Sequence, residues 1–163
     1  MDLKKLKKEY NIPWLTEEGD VDYSKYPIEH LTKDSLSSDE LKFRNACNML
    51  GMMAHEGRKD AAIFLFGLVS YYNDLKKLEI IVKNFYNLKT KETADFLFGE
   101  LERVKSSNTT RKYINTIIDT LSFFPNDLVL EKFIEFSENK KFSYRMRKKF
   151  LAIIEELEYR GIE

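Results

Sequence analysis

The sequence predicts an all-α fold built from repeated helix pairs, and three features of the chain lead to this prediction. The first is a duplication. The nine residues from Lys59, KDAAIFLFG, return 32 residues later from Lys91 as KETADFLFG, and six of the nine positions are identical. The second is an apolar stripe with helical period that recurs about every 36 residues. The third is a helix-capping residue about every 17 to 19 residues. Together they indicate one structural unit used more than once.

Composition agrees with this fold class and narrows the function classes. A chain of 163 residues can bury one good core, and 6 Gly with 3 Pro provide few turns for a β-protein. The 27 basic and 27 acidic side chains cancel, so no overall field would draw the protein to nucleic acid or to a membrane. Cys47 is the single cysteine, and no apolar run approaches the ~20 residues of a spanning helix. No signal peptide is visible at the start. We therefore expect a cytoplasmic protein.

Residues 1–37 are predicted to form an extended N-terminal arm that packs along a helical repeat domain of residues 38–163. Pro13 ends a short amphipathic stretch, and residues 15–36 lack a sustained period. The first 40 residues hold 6 basic and 10 acidic side chains, net −4, against +4 for the remainder, which would help the arm to lie on the body. The arm has too many large side chains for a disordered tail. These are Trp14, Tyr23, Tyr26, Ile28 and Leu31.

About seven helices are predicted in the repeat domain, each starting after a capping residue. Ser37 and Glu40 have the spacing of a capping box, which would start the first helix. The other predicted starts are at Asn73-Asp74, Thr90, Asn108 or Thr109, Pro125-Asn126-Asp127 and Ser143. The six helices after the first are expected at Lys59–Tyr71, Leu75–Leu88, Lys91–Val104, Thr110–Phe124, Leu128–Ser137 and Tyr144–Tyr159.

Four of these helices, which we call the B helices, share one apolar stripe at a spacing of 35 or 36 residues. The stripe consists of Phe43, Ala46, Cys47 and Leu50, then Leu78, Ile81, Val82 and Phe85, then Ile114, Ile117, Ile118 and Leu121, then Phe150, Ile153, Ile154 and Leu157. Three A helices alternate with them, and two of these carry FLFG. This constant spacing favours a right-handed α-solenoid over an ordinary helical bundle.

The FLFG segments place a glycine in the middle of two A helices. Such a glycine costs ~1 kcal/mol against alanine, so we expect Gly67 and Gly99 to allow close approach of neighbouring A helices. The four phenylalanines of the two segments are expected in the core.

Helix pairs of about 36 residues resemble the HEAT/armadillo superfamily over residues 38–160. The tetratricopeptide pattern fits less well, because the position about twelve residues after each FLFG glycine should be small and is Glu79 or Arg111. The resemblance implies an architecture and transfers no site residues.

No catalytic constellation is visible in the sequence. His55-Glu56 starts like a zinc-protease motif, but a second histidine is missing at the required spacing. Phosphate-binding glycine loops and the serine-hydrolase elbow are absent, and Cys47 sits on the apolar stripe, where a thiol is usually inert. We expect no enzyme activity, no metal and no cofactor.

The exposed side of the B helices is the expected partner-binding surface. Stepping along it by the repeat gives ladders of mixed sign with uncharged and aromatic positions between them, as in a protein-binding surface. The lysines and arginines near the starts of these helices form a basic edge, and Arg145 and Lys149 belong to it as well. The candidate partner-binding residues are Lys76, Lys112, Lys148, Arg111, Arg147, Asn48, Lys83, Asn87, Phe123 and Tyr159.

Two functions compete at this point. The first is a monomeric, non-enzymatic adaptor, inhibitor or immunity-type protein that binds another protein, in particular an acidic one. The alternative is a DNA-binding protein of the HEAT-like alkyl-DNA glycosylase type, although the tryptophan clamp of that class is missing here. The basic edge could also serve the chain's own acidic arm, or be a solvated face without a role.

Overall fold

The computed structural model describes residues 2–162, and within this range the protein is all-α, with nine α-helices and no sheet. A single isolated bridge joins Leu15 and Val21, and a short 3₁₀ segment, Asn84–Asn87, follows the fifth helix. The helices are α1 Leu3–Tyr10, α2 Glu29–Asp34, α3 Glu40–His55, α4 Lys59–Tyr71, α5 Leu75–Lys83, α6 Lys91–Arg103, α7 Arg111–Ser122, α8 Asn126–Glu138 and α9 Tyr144–Arg160.

The chain divides into two compact units, Met1–Leu88 and Lys89–Glu163. The first unit contains α1 to α5, and the second contains α6 to α9. All seven helices predicted after residue 37 are present. The predicted division into an arm and a repeat domain at that residue stays a prediction.

The apolar stripe of the B helices α3, α5, α7 and α9 is confirmed as core. All sixteen of its side chains are buried. Three of the second group lie on α5, and the fourth, Phe85, lies on the 3₁₀ segment that follows it. The 3.6-residue period thus identified the inward face of each B helix correctly.

Three predicted helix starts are confirmed by side-chain capping bonds. Asp74 accepts a hydrogen bond from the amide of Lys76, Thr90 from Thr93, and Ser143 from Met146. Each bond satisfies an amide that has no partner inside its own helix.

The predicted capping box at the start of α3 is wrong. The cap is Asp39, whose carboxylate accepts from the amides of Leu41 at 2.9 Å and Lys42 at 3.1 Å. Ser37 lies two residues earlier, and its Oγ accepts from the amide of Asp39. Asp39 directly precedes the first helical residue, so its carboxylate and not the hydroxyl of Ser37 reaches the first amides of α3.

The start of α7 also differs from the prediction. The capping position is Thr110 and not Asn108 or Thr109, and it makes no side-chain capping bond. Its Oγ1 instead donates to the carbonyl of Lys105 and accepts from the amide of Ser107, so the hydroxyl closes the preceding loop.

The predicted extended arm contains two short helices, α1 and α2, so it is only partly extended. Asp2 caps α1, and Asn11 ends it with a left-handed backbone at φ 47°. Arg58 holds the segment between the two helices, since its Nη1 donates to the carbonyls of Tyr23, Ser24 and Tyr26. The arm is therefore attached by hydrogen bonds to backbone carbonyls, in addition to any attraction of net charges.

The FLFG segments of α4 and α6 are less buried than expected. Phe98 is buried, whereas Phe64, Phe66 and Phe96 are half-buried. The expected close approach at the two glycines is wrong: both lie on exposed helix faces, and a Cβ added to either would meet no atom within 4 Å.

Phenylalanines form the centre of the second unit. Phe98 of α6 makes edge-to-face contacts with Phe133 and Phe136 of α8, at centroid distances of 5.1 and 5.3 Å. Phe150 of α9 and Phe142 join the same cluster. Such contacts fix the packing of α6, α8 and α9 and so position the loops that precede α7 and α9.

Candidate functional site

The predicted partner-binding residues fall in both units, and most are exposed. Asn87 and Arg147 are half-buried, and Arg147 has a buried Nε without a hydrogen-bond partner among the described residues. The predicted partner-binding residues of the first unit are Asn48, Lys76, Lys83 and Asn87. Those of the second unit are Arg111, Lys112, Phe123, Arg147, Lys148 and Tyr159.

In the first unit, the predicted partner-binding residues Asn48 and Asn87 have a packing role. The buried Asn84 donates from Nδ2 to Oδ1 of Asn48 at 3.1 Å and to the carbonyl of Ile80. A Cβ on Gly51 would lie 2.7 Å from Oδ1 of Asn84 and 3.0 Å from Nδ2 of Asn87. The side chain of Asn84 thus competes with the helix ladder where α5 turns into the 3₁₀ segment, and Gly51 makes room for it.

The second unit has a cleft where α7 and α9 begin. Two adjacent cavities of about 330 and 60 Å³ share Ser106, Ser143 and Met146 in their walls. We call the pair the basic cleft and the smaller cavity the recess. The cationic residues of the basic cleft are Lys105, Arg111, Lys141, Arg145 and Lys149.

Local sequence places these side chains in the basic cleft. Ser143 caps α9, which puts Arg145 and Lys149 in its first turns, and the hydrogen-bonded loop around Thr110 does the same for Arg111 at the start of α7. Lys149 crosses from α9 to α7, where its Nζ donates to Oδ1 of Asn115 at 2.6 Å. This bond links the two helices across the recess.

Positive charge dominates the basic cleft. Glu102, in the wall of the larger cavity, is the one acidic residue among the described lining residues of either cavity. Arg111 donates to Oδ1 of the uncharged Asn108, and Lys149 to the uncharged Asn115. A concave surface with one sign of charge concentrates ligands of the opposite sign.

Only some residues of the predicted basic edge line the basic cleft. Arg111, Arg145 and Lys149 line the recess together, whereas Arg147, Lys112 and Lys148 lie outside the walls of both cavities. Lys148 instead places Nζ 5.3 Å from the centre of the Tyr144 ring.

Sequence reasoning missed Lys105 and Lys141, because it considered helices and these residues precede α7 and α9. A signal was present, since the two lysines are themselves 36 residues apart and so are Ser107 and Ser143. The sequence similarity between the segments of α7 and α9 therefore extends into the loops before these two helices.

The opposite ends of α7 and α9 expose apolar side chains. Phe123 is 62% exposed and Tyr159 is 70% exposed. Arg160 ties these ends together, since its guanidinium donates to the carbonyls of Ser122 and Phe124 at 3.1 and 2.8 Å. The two aromatic residues therefore belong to the same end of the second unit.

The cysteine and the two histidines belong to the first unit and do not line the basic cleft. Burial raises the pKa of Cys47 to about 12, so its thiol is a poor nucleophile near neutral pH. His30 lies 3.3 Å from the hydroxyl of Tyr26, and His55 is the exposed last residue of α3. Among residues 2–162, no three His, Cys, Asp or Glu side chains are grouped as metal ligands would be. Over the same range, every helix is too short or too polar to cross a lipid bilayer.

The second unit thus offers a concave, cationic surface where α7 and α9 begin and an exposed aromatic end where they finish. Comparison with known proteins adds no relative to this picture: no protein-family model, no curated protein and no solved structure matches the chain.

Proposed function

We propose that the protein is a non-enzymatic, monomeric α-solenoid that binds an acidic protein through the exposed side of α7 and α9. The observation that carries this proposal is the basic cleft, whose described walls contain five cationic side chains and one carboxylate. We place the protein in the cytoplasm, where its lone cysteine would stay reduced.

Contacts within each unit support the solenoid part of the proposal. In the second unit, α6 packs on α7 and α8 on α9, as within a helix pair, and α6 also packs on α8, as between successive pairs. In the first unit, α4 packs on α5, and the B helices α3 and α5 pack on each other. Contacts of A on A and B on B are what stacked helix pairs require.

The aromatic end supports a protein as the partner. Exposed Phe and Tyr side chains supply much of the binding energy of protein interfaces, and Phe123 and Tyr159 are placed for such a role. The acidic Asp119 and Glu155 lie on the same helices, so this side carries both signs of charge, whereas a phosphate groove would keep one sign along its length. A partner with an acidic segment and an apolar segment fits both features.

DNA binding remains the second candidate, and the same basic cleft favours it. The two functions differ in which polyanion binds more tightly at equal salt. Fluorescence anisotropy with labelled polyglutamate and with labelled duplex DNA would measure both affinities from ~50 to ~200 mM salt.

Under our proposal, polyglutamate binds more tightly than duplex DNA at each salt concentration. The variant Arg111→Glu should weaken polyglutamate binding at least about tenfold, because it removes a charge-assisted contact and adds a repulsive one. Lys132→Glu is the control, since Lys132 is paired with Glu135 on α8, away from the basic cleft. Tighter binding of DNA, with a steep loss of affinity at higher salt, would reject the proposal in favour of the alternative.

A test of the aromatic end requires the natural partner, which affinity capture and mass spectrometry can identify. Phe123→Ala and Tyr159→Ala should each reduce recovery of that partner, whereas Tyr10→Ala, also exposed, should not. Equal recovery with all three variants would remove the aromatic end from the proposed interface.

A further inference from the structure

We propose that the recess binds a phosphate monoester, so that the acidic partner presents a phosphorylated side chain to Arg111, Arg145 and Lys149. This inference rests on the proposed function and specifies the partner's chemistry. The recess itself is lined also by Ser106, Ile114, Asn115, Ser143 and Met146.

Three cations line the recess without a carboxylate partner in the described part of the chain. Arg111 and Lys149 donate to asparagine side chains, and the guanidinium of Arg145 makes no hydrogen bond or ion pair among residues 2–162. Like charges that line one recess repel each other, and an anion bound among them would relieve that repulsion. Departures of this kind from good charge pairing are typical of functional sites.

Two hydroxyl groups add donors to the recess. Ser143 Oγ accepts from the amide of Met146, so its own hydrogen can still be donated to a ligand. Ser106, like Ser143, lines both cavities. The recess also lies at the positive end of the helix dipole of α9, a helix of 17 residues, which adds to the attraction for an anion.

The charge of the recess suits a monoester better than a carboxylate. A phosphorylated serine carries about −1.5 to −2 charges at pH 7 and three acceptor oxygens, whereas a carboxylate carries one charge and two oxygens. Arginine binds phosphate through two parallel hydrogen bonds, and the recess offers two arginines.

The size of the recess argues against its holding a flipped nucleobase. Its volume is about 60 Å³, whereas a cavity that holds a single benzene ring is on the order of 150 Å³. A flipped nucleobase would not fit, and one tetrahedral anion would. The adjoining cavity of about 330 Å³, with Lys105 and Lys141 in its wall, offers room for acidic residues that flank the phosphorylated one.

The test is a titration of the full-length, isotope-labelled protein followed by amide chemical shifts in NMR spectra. The probes are blocked phosphoserine, blocked glutamate, inorganic phosphate and a short DNA duplex. We expect blocked phosphoserine to shift the amides of Ser106, Asn115 and Ser143, and to bind at least about tenfold more tightly than blocked glutamate.

Arg145→Gln should weaken phosphoserine binding about tenfold, and Lys149→Gln provides a second variant. Arg44→Gln is the matched control, because Arg44 is an exposed arginine of α3 paired with Glu40. The dispersion of the amide spectrum shows whether each variant is folded.

Equal affinity for phosphoserine and glutamate, or no effect of Arg145→Gln in the folded protein, would overturn the inference. Tighter binding of inorganic phosphate or of duplex DNA than of phosphoserine would overturn it as well. Polyglutamate binding without a preference for phosphoserine would reject this inference alone. A selective phosphoserine site in a protein that fails to bind acidic polypeptides would reject the proposed function alone.

Discussion

Glycine has two different roles in the helices of this protein. In α4 and α6 the duplicated Gly67 and Gly99 face open space, so no packing requirement explains them. In α3, Gly51 is buried against Asn84 and Asn87, and a side chain there would collide with the amide groups. The repeated pair thus attracted notice in the sequence, but the glycine that packing needs is the unrepeated one.

Replacing the open glycines with alanine should stabilise the protein. Gly67→Ala and Gly99→Ala are each expected to add about 1 kcal/mol to the free energy of unfolding, because alanine loses less backbone entropy in a helix. Gly51→Ala should instead cost about 1–3 kcal/mol through overpacking. Urea unfolding followed by circular dichroism measures all three, and destabilisation by the first two would show a packing role that the structure lacks.

Helix starts in this protein depend on the position of the acceptor as much as on its type. Both Ser37 and Asp39 are good capping residues by composition, and the spacing to Glu40 favoured the serine. The structure uses Asp39 and leaves Ser37 to hold the turn before it. A choice between neighbouring candidates depends on backbone angles that the sequence pattern does not determine.

The two caps can be separated by mutation. Asp39→Ala should lower the free energy of unfolding by about 1 kcal/mol, because two amides of α3 lose their acceptor. Ser37→Ala removes a single bond outside the helix and should cost no more than about 0.5 kcal/mol. Thermal or urea unfolding compares the two, and a larger loss for Ser37→Ala would restore the capping box.

At the scale of the whole molecule, a buried acidic network makes stability depend on pH. Burial raises the pKa of Glu100, but hydrogen bonds from Arg103 and Tyr113 outweigh that effect and hold it below the usual value of 4.5. Because the folded pKa is the lower one, the network stabilises the protein above pH 4.5. That stability is lost as the pH falls through the folded pKa.

We therefore expect Tyr113→Phe to cost about 1.5–3 kcal/mol at neutral pH, since it removes a 2.7 Å hydrogen bond to a buried carboxylate. The difference from the wild type should shrink as the solution is acidified below pH 4.5, where Glu100 of the unfolded chain becomes protonated. Tyr159→Phe is the matched control at an exposed position. Urea titrations at several pH values provide the test, and a pH-independent difference would contradict the assigned network.

The sequence by itself determined the seven helices after residue 37 and the inward faces of the four B helices. Periodicity is a local property, and a stripe such as Ile114, Ile117, Ile118 and Leu121 can be buried on one side only. It also marked Arg111 as part of a predicted basic edge, because basic residues recur near the predicted starts of the B helices.

Only the tertiary structure decided which cationic side chains line the basic cleft together. Lys105 precedes Lys141 and Arg145 by 36 and 40 residues, and only the tertiary structure, which brings the starts of α7 and α9 together, puts the three around one cleft. It also decided that Gly67 and Gly99 lie in open space, and that α5 gives way to a 3₁₀ turn at Asn84. The physical reason is the same in each case: these outcomes depend on contacts between segments distant in the chain, which no local period encodes.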